Sequence, residues 1–196
     1  MLFDAYSDTP YESTINLGKR LNLTGIGYPT IMVKEGPIFI ISADNCTIEG
    51  FRLEGSAWSE IVKVKSSENI IRNNIIMGKG IGSTGITIES EGNSILNNTI
   101  LYCHVGLEIN GNKNYLAHNV INSNPKNNPL ISWGYGIIVD GDANTFYSNK
   151  LLNCKQMGIS IDGKGNVIIA NLISKPDTSL YLNNFFCRFK AILLPQ

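Results

Sequence analysis

The sequence predicts an all-β fold: a single-stranded right-handed parallel β-helix, a solenoid of about six to seven coils. Three observations predict it. An Asn-x4-Asn pair recurs along the chain, alternating apolar pairs stand at a fixed distance before it, and the polar share is Asn, Ser, Thr and Gly. Charged residues make up only 16%, below the usual quarter or so. That composition suits an extended β surface better than a helical bundle, where Glu, Lys and Ala dominate.

The Asn pair appears as Asn69/Asn74, Asn93/Asn98, Asn114/Asn119, Asn144/Asn149 and Asn166/Asn171, and an earlier copy, "ADNCTIEGF", offers Asn45 with Gly50 in second place. Coil length can be read between leading Asn residues. The shortest interval runs from Asn93 to Asn114, and the longest, from Asn114 to Asn144, holds an insertion. Seven and five positions before each leading Asn stand Ile38/Ile40, Val62/Val64, Ile86/Ile88, Leu107/Ile109, Ile137/Val139 and Ile159/Ile161. Apolar, mostly β-branched pairs of period two, broken by Gly or Asn, read as short strands with turns between them. One such repeat cannot bury its apolar face alone. Coils stacked at about 4.8 Å can, each strand pairing its equivalent one turn away. A leucine-rich repeat has a similar period but needs Leu at fixed offsets and a helical return, and neither is visible here.

The stacking also explains the amides. Asn at a sharp corner tolerates left-handed backbone better than other non-glycine residues. Its amide can both donate and accept, so Asn on successive coils would form a continuous ladder. The eleven Asn residues named above are therefore expected to be structural.

Residues 1–36 are expected to form an N-terminal segment and first coil with a short cap, and 37–173 the repeats. Residues 174–196 read as an irregular last coil or cap, because Asn184 in "SLYLNNFF" follows Asn171 too closely to leave room for a full coil. Exposed strand edges at the ends need covering, and incomplete caps would leave the solenoid open to end-to-end self-association.

The motif "GITIESEGNSILNNTI", with "GIIVDGDANTFYSNKL" and "GISIDGKGNVIIANLI", resembles the repeats of NosD-like and related carbohydrate-binding and sugar-hydrolase proteins of the pectate-lyase-like β-helix group. The opening "YESTINLGKRLNLTGIGYPTI" resembles their first coils, and the likeness runs from residue 11 to about 173. It implies a fold. It implies much less about activity, because this scaffold carries lyases, hydrolases, epimerases, adhesins and inert stalks.

Composition excludes some partners. Sixteen basic and sixteen acidic residues leave no electrostatic footprint for nucleic acid. No apolar run approaches the roughly 20 residues that span a bilayer. The opening "MLFDAYSDTPYES" does not read as a secretory signal, so an extracellular, periplasmic or surface location would make the chain part of a longer exported protein. The cysteines Cys46, Cys103, Cys154 and Cys187 are widely spaced without CxxC and read as small core residues. His104 and His118 are the only histidines, so no metal site is expected.

Chemistry could sit in two places. Four positions before successive leading Asn stand Lys65, Glu89, Asn110, Asp140 and Asp162, so Asp140 and Asp162 should be neighbours at about 5 Å, with Asp142 nearby. Close carboxylates can bind Ca²⁺ or share a proton, and a lyase or hydrolase acting on an acidic glycan would use Asp140, Asp162 and Glu89 with Lys65 or Arg72 as base. The VDG and IDG contexts of the two Asp residues are equally ordinary turn chemistry. The Gly-His-Gly and Asp-Pro-His signatures of β-helix enzymes are missing. The second place is aromatic. Trp58 stands as far before Asn69 as Trp133 does before Asn144, so the two share a repeat position three coils apart. Trp133 is close to Tyr135 in the insertion "NSNPKNNPLISWGYG". The favoured reading is a non-catalytic module, structural or binding a glycan surface through Trp58, Trp133 and Tyr135. No cofactor is called for, and Ca²⁺ enters only with the lyase. An inert spacer is the remaining alternative.

Overall fold

The computed structural model describes residues 13–124, 133–174, 178–183 and 188–193. Twenty strands and no helix make up the described residues, wound as a parallel β-solenoid of about seven turns. The pairings are parallel and join a residue to its counterpart one coil on. Each coil contributes to three sheets, which form the three walls.

The walls follow from the alternation. In the first, Phe39, Val62, Ile86, Leu107, Ile137 and Ile159 stack in one inward column. In the second, Leu23, Ile48, Ile71, Ile95, Leu116, Phe146 and Ile168 do so. In the third the column is Ile31, Leu53, Ile76, Ile100, Ile121, Leu151 and Ile173. These side chains are almost completely buried, each contributing about 1.5–3 kcal/mol of transfer free energy. On the second and third walls the middle residue of each three-residue strand faces the core, which is why the apolar signal there is only a residue or two wide.

On the coils from Asn69 to Asn171 the first two corners carry the amides. Asn69 donates Nδ2–H to Asn93 Oδ1 at 3.1 Å and its backbone N–H to the same oxygen at 2.9 Å. The series continues through Asn114, Asn144 and Asn166 by backbone N–H to Oδ1 bonds of 2.9 Å. A second ladder links Asn74, Asn98, Asn119, Asn149 and Asn171. There each remaining amide hydrogen finds a backbone carbonyl, as Asn98 does with Ile71 O at 2.8 Å.

Two details differ from the sequence reading. The ladder Asn residues are not the left-handed ones. The residue before each carries the positive φ: Glu68, Lys113 and Ala143 at one corner, and Asn73, Asn97, His118, Ser148 and Ala170 at the other, all between 52° and 58°. Asn is there for its two-way amide, and the strained backbone falls on its neighbour. The first copy is also framed one residue later than the spacing suggests. Cys46 N–H donates to Asn69 Oδ1 at 2.8 Å, and Phe51 N–H to Asn74 Oδ1 at 3.0 Å. Asn45 is therefore the exposed left-handed residue (φ 58°) before the ladder, outside it. Likewise Phe39 and Ile41 face the core beside Val62 and Val64, while Ile40 points outward.

The segment 174–196, expected as an irregular coil or cap, contains strands Thr178–Asn183 and Arg188–Leu193. They pair with Met157–Asp162 and Val167–Ser174. The first pairing sets Met157 against Thr178, and the second carries a register irregularity between Ile169 and Leu172.

Candidate functional site

The third corner, between the third wall and the first, has no amide ladder and no fixed length. Among the described residues it takes in 55–59, 78–83, 102–104 and 153–156 on successive coils, with 133–134 leading into Tyr135–Asp140. Here the long strand Ile75–Ile88 and its neighbour Thr99–Ile109 slip register twice, around Cys103. Gly80 and Gly82 take φ of 94° and 80°, which only Gly adopts without strain.

Those glycines make room for rings. A Cβ on Gly82 would collide with the six-membered ring of the Trp58 indole, while one on Gly80 would stand 3.5 Å from Trp133 Cζ2. Trp58 and Trp133 thus lie against the same short segment, one approaching from the coil before and one from two coils after. His104 joins them: its Nδ1 accepts Gly82 N–H at 3.4 Å. Its ring meets Trp133 edge-on at 5.9 Å and Tyr135 at 5.7 Å between centroids, within the range of favourable aromatic contact. Trp58 is 77% exposed and Ile81 51%. Beside them lies an open depression of about 450 Å³ lined by Gly78, Lys79, Gly80, Tyr102 and Trp133. The corner can therefore present flat apolar rings to an extended ligand.

The acidic candidates lie at the other end of the first wall. Asp140 and Asp162 are register partners at the mouth of a cavity of about 390 Å³, which is lined by Asn110, Asp142 and three glycines as well. Asp142 is occupied with the turn: its carboxylate accepts Lys164 N–H at 2.7 Å, and its own N–H donates to Asn112 Oδ1 at 2.8 Å. Among the described residues no basic side chain lines this cavity. Glu89 is taken up by Lys63, at 2.7 Å, and Lys63 also reaches Glu60 at 3.1 Å. The hydrogen bond to Glu89 is the main reason the Lys63 ammonium is held above its ordinary range, with burial working against it. Lys65 is exposed just past the end of Glu60–Val64. Arg72 stands on the second wall, its Nε 2.5 Å from Glu49 Oε2. The structure thus brings Asp140 and Asp162 together, joins Trp133 and Tyr135 through His104, and sets Trp58 and Trp133 against the same Gly80–Gly82 segment. It does not bring Lys65 or Arg72 to the Asp pair's cavity.

Cys46, Cys103 and Cys154 are buried free thiols. Burial pushes Cys103 up to about 12 and Cys154 up to about 11, so both are poor nucleophiles and poor metal ligands. Among the described residues no three His, Cys, Asp or Glu side chains gather in a way that could hold a metal. No helix among the described residues is long and apolar enough to cross a membrane.

Sequence reasoning missed Lys79, Ile81, Tyr102 and the linking role of His104. The usable signal was "GKGIG", with Gly at 78, 80 and 82: alternate glycines in a strand mark close approach by something else. A family model described as "Periplasmic copper-binding protein (NosD)" matches residues 5–160. No curated protein matches the chain.

Proposed function

The chain belongs to the NosD family, and from that premise we propose that it is a non-catalytic, carbohydrate-interacting β-solenoid module of an exported protein. The family's description is of periplasmic proteins, which agrees with an exported module. The observation that carries the ligand reading is the seating of Trp58 and Trp133 on Gly82 and Gly80, with His104 and Tyr135 behind them. Rigid aromatic faces give contact area at little entropic cost, and the apolar C–H face of a pyranose is complementary to them. Glycan-array screening followed by calorimetric titration, with and without Ca²⁺, tests it. Binding without depolymerisation is expected, and Trp58→Ala and Trp133→Ala should each abolish it. Unchanged affinity in both variants would refute the platform, and absence of any binding would leave an inert spacer.

A lyase or hydrolase reading has one observation in its favour, the Asp140–Asp162 register pair. Against it, Arg72 is engaged with Glu49 on another wall and Glu89 with Lys63. Release of oligomers from an acidic glycan, lost in Asp140→Asn, would establish it.

The family's description includes copper. Copper sites gather imidazole, thiolate or thioether donors. Here His104 lies at the third corner against Trp133, whereas His118 lies at the second corner edge-on to Tyr147. The Cys103 and Cys154 thiols are sealed in the core. The described residues do not fit a copper ion, and no step of the proposal runs through one.

A further inference from the structure

We infer that the aromatic corner reads charge as well as shape, with Lys79 setting a preference for a glycan that carries one carboxylate-bearing sugar among neutral ones. The inference rests on the sugar-platform reading and adds a ligand class and a specificity residue to it. Lys79 is exposed, held between Gly78 and Gly80, and lines the same depression as Trp133 and Tyr102. Among the described residues it is the only charged side chain in that lining. Lys63 and Lys113 are committed to Glu60, Glu89 and Glu91, and Arg52 and Arg72 to Glu54 and Glu49. Lys79 makes no ion pair or side-chain hydrogen bond among the described residues. A free ammonium beside an apolar ring face is complementary to a sugar whose one face stacks while its edge carries a carboxylate.

The other end of the wall limits how many charges the ligand carries. Glu108 stands four residues beyond His104 on Thr99–Ile109, and Asp140 five beyond Tyr135 on Tyr135–Asp140, with Asp162 beside it. At about 3.3 Å per residue these carboxylates lie about 13–16 Å along the strands from the rings. A polyuronate laid along that wall would bring repeating negative charges onto them. A glycan with a single acidic unit at the aromatic end would not.

The test uses titration of the whole protein at low salt with three probes: a neutral oligosaccharide bearing one glucuronic acid, the methyl ester of the same molecule, and tetragalacturonate. The acid should bind about three- to fivefold tighter than its ester, the range of a solvent-exposed ion pair. The preference should vanish in Lys79→Gln, persist in Lys79→Arg, and fade in about 0.5 M salt, where exposed charges are screened over a few ångströms. A urea unfolding midpoint equal to that of wild type establishes that Lys79→Gln is folded. Equal affinity for acid and ester in wild type, retention of the preference by Lys79→Gln, or tightest binding of tetragalacturonate would each overturn the inference while leaving the platform standing. If none of the probes binds, or if Trp58→Ala and Trp133→Ala bind like wild type, the platform reading itself fails.

Discussion

The two Asn corners and the aromatic corner solve the same problem, turning a chain between two sheets, in opposite ways. At the second corner the turn is two residues long on coil after coil, a left-handed residue followed by a buried Asn, as in Asn73–Asn74, Asn97–Asn98 and Ser148–Asn149. Its polar groups are satisfied by the coils on either side, so any change in length would break the ladder. At the third corner, among the described residues, the segment between walls runs from three residues at 102–104 to six at 78–83, and rings do the covering. Regularity there is not needed for stability, which leaves the sequence free to vary. The difference places stability at one edge of the prism and adaptable chemistry at another.

The largest effect should come from breaking a ladder in its middle. Asn98 accepts from Asn74 N–H and Nδ2–H at 3.0 and 3.1 Å and donates to Ile71 O and Asn119 Oδ1 at 2.8 and 3.1 Å. Asn98→Ala strands several buried groups at about 1–3 kcal/mol each, so a loss of about 4 kcal/mol is expected in urea unfolding. Asn45→Gly, just outside the other ladder, should change stability by less than about 0.5 kcal/mol, since Gly suits a φ of 58° at least as well as Asn does. Equal losses in the two variants would mean that the amide column contributes nothing special.

The contrast between Asn45 and Asn98 also explains what was legible in the sequence. The fold was, because a solenoid writes the same constraint into every coil: Ile71, Ile95 and Leu116 recur at one place because they meet. The frame of the first copy was not, because Asn45 imitates a ladder residue while occupying the turn before it, and Cys46 takes the ladder place without an amide. The aromatic corner was half legible. Trp58 and Trp133 share a repeat position, but the slip around Cys103 lets Trp133 reach Gly80, and a bulge leaves no periodic trace. His104 and Lys79 occur once each, so no column announces them.

Next in size is an alkaline loss of stability that belongs to the core, not to either kind of corner. Cys103 and Cys154 have folded pKa values raised from an ordinary 9.0 to about 12 and about 11 by burial. A raised folded value means that the unfolded chain releases the proton first. Stability is therefore full below about pH 9 and falls as pH climbs from there toward the folded values. At pH 10 each thiol should cost on the order of 1 kcal/mol relative to pH 8. Cys103→Ala should flatten the alkaline slope, and an unchanged slope would mean other groups set it.

Backbone strain distinguishes the corners more finely. Gly82→Ala puts a side chain at φ 80° and into Trp58, costing about 1–2 kcal/mol and displacing the ring from its seat, so sugar binding should fall with stability. Ala143→Gly, at φ 55° before ladder residue Asn144, should relieve strain and raise stability by up to about 1 kcal/mol, with no effect on binding. A binding change in Ala143→Gly, or none in Gly82→Ala, would erase the functional distinction between the corners.

The smallest effect concerns the second wall, where Arg72 and Glu49 face solvent. The Arg72 guanidinium holds the Glu49 carboxyl below its ordinary 4.5, with burial opposing slightly and Thr24 Oγ1–H donating a further bond at 3.1 Å. A lowered folded value means the bridge's contribution is present above about pH 4.5 and is lost as pH falls through the folded value. Arg72 is exposed and Glu49 half-buried, and screening by solvent around the guanidinium keeps the contribution slight. Arg72→Gln should lower the urea midpoint a little at pH 6 and converge on wild type near pH 3, with glycan binding untouched. Loss of binding in Arg72→Gln would instead draw the second wall into the ligand site, and the aromatic corner could no longer hold the whole of it.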